Sequence, residues 1–168
     1  SERRPYYLDL AAYRKSASGT PMETPYTPAV ALFLAFREAL LIAEGEGVQP
    51  RIARHRKMAD AVRAAVAAWG LEMFPKTDGL HGYSNTTTAV SVPSGVNEKE
   101  LRSAVKQLGI EIAGGQDHLK GKIFRIGHMG AVGAPEILAT LAATEHGLAK
   151  AGWKVKGSGV AAACGRLA

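Results

Sequence analysis

The chain has little with which to cross-link itself or to hold a metal. Its one cysteine, Cys164, stands near the end of 168 residues. A single thiol makes no internal disulfide and no zinc site built on paired thiolates. It agrees with a reducing, cytoplasmic setting. Long apolar runs are missing too: the run at residues 28–36 is broken by Arg37-Glu38, too soon for a membrane span. No Gly-x-x-x-x-Gly-Lys-Ser/Thr phosphate loop, nucleophile elbow or metal-ligand spacing occurs, and no Ser/His/Asp set can be assembled. The net charge is +6, with Arg51, Arg54, Arg56, Lys57 and Arg63 close together. No aromatic residue is interleaved among them for base stacking, so they read as the solvated face of a helix and not as a nucleic-acid surface.

What remains is an ordinary globular composition with strong punctuation. Residues 1–26 read as an arm that fits one short helix at 8–15, followed by a loop held irregular by Pro21, Pro25 and Pro28. Thr27-Pro28 then opens a helix, with Thr27 as N-cap. Residues 30–43 of that helix are apolar at nearly every position. A helix that is apolar all round needs cover on all sides, and a second domain or subunit is the natural source. Gly45 and Gly47 break the chain before a second helix at 49–69, which Gly70 stops.

Beyond it the pattern alternates. Residues 71–74 and 86–92 read as strands, the second rich in β-branched residues. Asn97, with Glu98 and Glu100 behind it, caps a helix that carries Leu101, Val105 and Leu108. Strands at 110–113 and 122–126 and an amphipathic helix at 134–149 follow. The expected fold class is α+β: a small sheet of about four mostly antiparallel strands, helices packed on one face, behind a long helical region. The expected domains are an arm and loop at 1–26, helices at 27–70, a small domain at 71–150 and a flexible tail at 151–168.

Arg125 is the most informative residue. It lies inside Ile123-Phe124-Arg125-Ile126, and an unpaired charge in such a run is costly to bury. Alternation sends Phe124 and Ile126 to one face and Ile123 and Arg125 to the other. The guanidinium is then a planar fork suited to a carboxylate. Two readings stand at this point: a structural salt bridge to Glu111 or Asp117, or a grip on a small organic acid. Gly114, Gly115, Gly127 and Gly130 favour the second, because glycine lets backbone approach a ligand or another chain. His128 is at most a supporting residue of that site. Thr24 and Thr27, at the start of a helix, form a candidate anion site. Capping alone accounts for Thr27 but not for Thr24.

Thr24-Pro25-Tyr26-Thr27-Pro28, then Arg37-Glu38-Ala39-Leu40, Ile110-Glu111-Ile112-Ala113-Gly114-Gly115 and Phe124-Arg125-Ile126-Gly127-His128-Met129-Gly130 occur in this order. The series resembles the class V aminotransferases, and within them the alanine–glyoxylate and serine–pyruvate branch, over roughly residues 6–150. The resemblance implies the C-terminal portion of a fold-type I homodimer that uses pyridoxal 5'-phosphate: interdomain helices and the small domain. It implies that Arg125 binds the substrate α-carboxylate. It also implies that Thr27 and Thr24 reach the cofactor phosphate of the neighbouring subunit; some relatives carry a tyrosine where Thr24 falls, and here Tyr26 lies nearby. The Schiff-base lysine of the family belongs upstream, in the N-terminal large domain, so this chain by itself is expected to be inactive. The implied substrates are a small amino acid (alanine, serine or aspartate) and a 2-oxo acid such as glyoxylate or pyruvate. The rival readings are a non-enzymatic α+β module that binds carboxylates or regulates, and a lyase of the same superfamily.

Overall fold

A computed structural model describes residues 6–77 and 82–168. The first five residues of the expected arm, and residues 78–81 of the loop before the second strand, lie outside the described residues. The chain divides after Gly47 into two compact units, Ser1–Gly47 and Val48–Ala168.

The first unit is a turn of 3-10 helix at Tyr6–Leu8, helix α1 (Leu10–Ala17) and helix α2 (Val30–Glu46). Asp9 caps α1 by accepting from the Ala11 N–H at 2.9 Å. Helix α2 begins later than its sequence indicates. Ala29 occupies the N-cap position, no side chain caps it, and Thr27 is left outside. The reason is local: the Val30 N–H turns back onto the Pro28 carbonyl at 2.9 Å, a tight turn that delays the first helical residue. Gly45 is absorbed into α2, which ends only at Gly47, where φ is 84°. Neither α1 nor α2 contains a buried residue.

The second unit holds the core. It comprises α3 (Val48–Ala68), β1 (Thr87–Ser91), α4 (Glu98–Gln107), β2 (Ala113–Gly114), β3 (Ile123–Gly127), α5 (Ala134–Lys150) and α6 (Gly159–Leu167). The strands form an antiparallel sheet in the order β1-β3-β2. The expected fourth strand, at 71–74, is reduced to one bridge between Met73 and Val90, because Pro75 ends it at once. Val90, Phe124 and Ile126 project from one sheet face into a cluster with Val62, Val66 and Trp69, with Leu101 and Val105, and with Ile137, Leu141 and Leu148. The two helices expected at 27–70 fall in different compact units. Helix α3 buries Met58, Val62 and Val66 in the core of the second unit, whereas α2 buries nothing.

The Asn97 cap forms where the sequence puts it. Asn97 accepts from the Lys99 and Glu100 N–H groups at 3.0 and 3.4 Å. Glu136 accepts from the Gly133 N–H at 2.9 Å; its own backbone N–H first, and then that of Gly133, hold its carboxyl below the usual range. Helices α4 and α5 pack closely at Gly147, where a Cβ would stand 2.8 Å from the Leu101 carbonyl oxygen.

The flexible tail is a second correction. Ser158 caps α6 by accepting from the Ala161 N–H, and Ala163 is fully buried. Glu145 joins the pieces: its Oε2 accepts from the Trp69 indole at 2.9 Å and from the Gly159 N–H at 2.8 Å. The small residues that made this segment look loose let it pack instead. A Cβ on Gly159 would run into the Trp69 ring.

Candidate carboxylate and phosphate sites

Arg125 occupies the middle of β3, the central strand, opposite Ala89 on β1 and Ala113 on β2. Directly opposed residues in antiparallel pairs share a face. The guanidinium thus leaves the sheet between two methyl groups, on the side away from Phe124 and Ile126, and is half-buried. Its Nε donates to the Gly114 carbonyl at 3.0 Å, which aims the planar head. Among the described residues it forms no ion pair. Glu111, one of its two candidate acids, lies 3.4 Å from Lys106 Nζ instead. The side chain is therefore anchored at Nε, while both terminal nitrogens remain without an internal acid.

The glycines beside this strand serve the protein itself. A side chain on Gly114 would strike Glu98 Oε1, and one on Gly115 would strike the Leu119 carbonyl. Glu98 is buried and paired with Arg102. The close approach anticipated for a ligand or another chain is thus made at these two positions by the chain's own α4 and 117–119 turn.

His128 is fully buried. Its Nδ1 lies 3.0 Å from the Asn85 carbonyl and its Nε2 lies 2.9 Å from Thr88 Oγ1. A carbonyl only accepts, so the proton sits on Nδ1 and the Thr88 hydroxyl donates to Nε2. Burial, above all, pushes its pKa below 6.5, and nearby Arg63 adds to this. His128 is a neutral clamp between β1, β3 and the loop before β1.

Two residues assigned by sequence to a solvated basic face prove to be parts of the same frame. Arg54 donates to the carbonyls of Gly130 and Val132 at 2.9 and 2.8 Å, fixing the loop that follows β3. Arg63 donates to Asp60 Oδ1, the Ser84 carbonyl and Asn85 Oδ1 at 2.9, 2.8 and 3.1 Å. The loop partners, Gly130 and Val132 for Arg54 and Ser84 and Asn85 for Arg63, are remote in sequence, which is why pattern reading missed them. The one available signal was that arginine, with five donors in a fixed fork, suits the collection of loop carbonyls.

In the first unit, Thr24 and Thr27 are exposed beside an open cleft of about 750 Å³ lined by Tyr6, Tyr7 and residues 24–28. Capping was the simple account of Thr27, and the late start of α2 removes it. Neither threonine hydroxyl is spent on a hydrogen bond among the described residues, so both are available to an acceptor. Two hydroxyls flanking a cleft suit the oxygens of a phosphate.

No family model matches the chain. Individual relatives do. An uncharacterized aminotransferase of Methanocaldococcus jannaschii is 44% identical over 92% of the chain and 40% of its own length. Serine–glyoxylate aminotransferase of Arabidopsis thaliana is 40% identical over 83% of the chain and 35% of its own length. The crystal structure of pyridoxamine–pyruvate aminotransferase from Mesorhizobium loti superposes with a TM-score of 0.86 at 35% identity, covering 98% of the chain and 42% of that protein. The chain thus spans about two fifths of the length of the proteins it matches. By sequence and by fold its homologues are class V aminotransferases, and the chain is the counterpart of their C-terminal portion.

Proposed function

We propose that the complete protein moves an amino group between a small amino acid (alanine, serine or aspartate) and a 2-oxo acid such as glyoxylate or pyruvate, with pyridoxal 5'-phosphate as cofactor. The observation that carries this reading is the Arg125 guanidinium: anchored at Nε by Gly114, flanked by Ala89 and Ala113, and without an acidic partner among the described residues. Two terminal N–H groups in one plane meet the two oxygens of an α-carboxylate in parallel. That grip fixes the amino acid's orientation and turns an encounter into a near-attack geometry. Alanine, serine and aspartate all offer this carboxylate, so Arg125 recognises the class and leaves the choice of side chain to residues elsewhere.

The residues present fit the cofactor's phosphate end. Thr24 and Thr27 offer unspent hydroxyls, and they would hold the phosphate of the neighbouring subunit in a homodimer. When bound, the cofactor supplies the electron sink that amino transfer needs; the protein supplies binding, orientation and a shaped environment. The lysine that carries the cofactor belongs to the N-terminal large domain. Helix α2, with Leu32, Phe33 and Phe36 each more than half exposed, is the surface that this domain or the second subunit covers. No helix among the described residues is long and apolar enough to cross a membrane, and we place the enzyme in the cytoplasm.

The test is a half-reaction screen on the full-length protein loaded with cofactor. Alanine, serine and aspartate are offered singly, and the 2-oxo acid released is quantified against the loss of amino donor. Stoichiometric release from at least one donor is expected, with turnover restored by glyoxylate or pyruvate. Release of ammonia in place of amino transfer would replace this reading with a lyase.

A further inference from the structure

Four of the chain's five tyrosines gather in the first unit around Tyr26. The Tyr26 ring centroid lies 4.6 Å from that of Tyr6, 5.5 Å from Tyr7 in a stacked arrangement, and 5.8 Å from Tyr13 edge-on. Its hydroxyl donates to the Tyr6 carbonyl at 2.6 Å. Tyr7 and Tyr13 stand 6.5 Å apart, so the other three rings enclose Tyr26 and touch one another less. Such distances and tilts are those at which aromatic pairs attract.

Tyr26 sits between Pro25 and Thr27, inside the loop that presents the two free threonines. The two prolines of this loop limit its φ angles but do not fix where it lies. The ring cluster does: it ties the loop to the Tyr6–Leu8 turn and to α1. Loss of water around Tyr26, followed by the nearby Tyr6 and Asp9, pushes its phenol above its usual pKa, so the hydroxyl stays a donor. A loop ordered in advance spends none of its binding energy on becoming ordered.

We propose that Tyr26 is a positioning residue, which holds the Thr24 and Thr27 hydroxyls in place for the cofactor phosphate. This rests on the phosphate reading of those threonines, and the experiment separates the two. Full-length protein is freed of cofactor, and equilibrium binding is measured for pyridoxal 5'-phosphate and for pyridoxal, which lacks the phosphate. The ratio of the two affinities isolates the phosphate grip from everything else. Tyr26→Leu removes the ring contacts and the hydroxyl, and should lower that ratio about 10- to 100-fold while pyridoxal binding moves less than about twofold. Tyr26→Phe keeps the stack, loses only the tether to Tyr6, and should lower the ratio about 3- to 10-fold at unchanged melting temperature. If Tyr26→Leu does not fold, Tyr26→Phe decides. Thr27→Val is the direct control. A reduced ratio in Thr27→Val with a native ratio in the Tyr26 variants overturns the positioning role alone. A native ratio in Thr27→Val overturns the phosphate reading, and the role of Tyr26 falls with it.

Discussion

Replacing Arg125 by alanine in the full-length enzyme should lower kcat/KM for amino donors by about 2–4 kcal/mol, or roughly 30- to 700-fold. The estimate comes from what the substitution leaves behind. A substrate carboxylate brought to this sheet face would meet Ala89 and Ala113 and lose two charge-assisted bonds, while partial exposure of the site returns some solvation. Arg125→Lys should fall between, because a lysine reaches the site as a point charge and cannot keep both the Gly114 contact and a two-pronged grip. The loss must also be specific for the carboxylate. Each variant is therefore assayed with alanine and with alaninamide, which differ only at the group Arg125 is held to recognise. Wild type should prefer alanine strongly, and Arg125→Ala should nearly erase the preference. Thermal denaturation runs in parallel, since the Nε–Gly114 bond contributes about 1 kcal/mol to the fold. If Arg125→Ala lowers both substrates equally, the side chain is a structural strut and the assignment fails.

His128 makes stability depend on pH. Its folded pKa lies below the ordinary 6.5, so the unfolded chain binds the proton more readily, and stability is full above 6.5 and declines as pH falls through 6.5 toward the lowered folded value. Denaturant melts of His128→Gln should show a loss of about 1–3 kcal/mol at pH 8 and a flatter acid limb than wild type; an unchanged limb would assign that slope to other groups. Gly147→Ala should cost about 1–3 kcal/mol, because the added methyl presses on the Leu101 carbonyl where α4 meets α5; the urea midpoint should fall with no change in slope. Phe33→Glu on α2 should shift full-length protein from dimer toward monomer in sedimentation, and a dimer of native strength would assign this surface to the large domain.

The parts of the fold legible in the sequence are those set by neighbours in the chain. Asn97 with Glu98 and Glu100, Gly70 after Trp69, and alternation through Ile123–Gly127 depend on contacts within a few residues, and each appears where the pattern puts it. The misreadings share a cause of the opposite kind. Thr27 has every local mark of an N-cap, yet the turn at Pro28 takes the helix start to Ala29. Residues 159–167 are small and featureless alone, and become a helix because Glu145 and Trp69, far away in sequence, receive Gly159. Arg54 and Arg63 look like a solvated face until the loops at 130–132 and 84–85 fold back to them. Arg125 could be chosen as a candidate site residue from sequence because its oddity is local: one charge inside an apolar strand. Whether an internal acid satisfied it was a tertiary question, and Glu111 turning to Lys106 was not written in the spacing.

The two units bear differently on the rival view of a free-standing carboxylate-binding module. The second could support it: one cluster there joins α3, the sheet, α4, α5 and α6 around Trp69 and Phe124. The first could not. Its α2 exposes Val30, Leu32, Phe33, Leu34, Phe36, Leu40, Leu41 and Ile42, from 45% to 71% each, and buries none of them. Covering what is exposed, at about 1.5–3 kcal/mol for a fully buried side chain of this kind, is worth on the order of 10 kcal/mol. That equals the entire net stability of an ordinary domain. A sequence that keeps so much apolar surface on one helix is built to place it against something large. The match to two fifths of an aminotransferase supplies a candidate of the right size, which a small regulatory module lacks. The proposed assembly would account for the sequence of α2: a helix wedged between a large domain and a second subunit would have no side left for water.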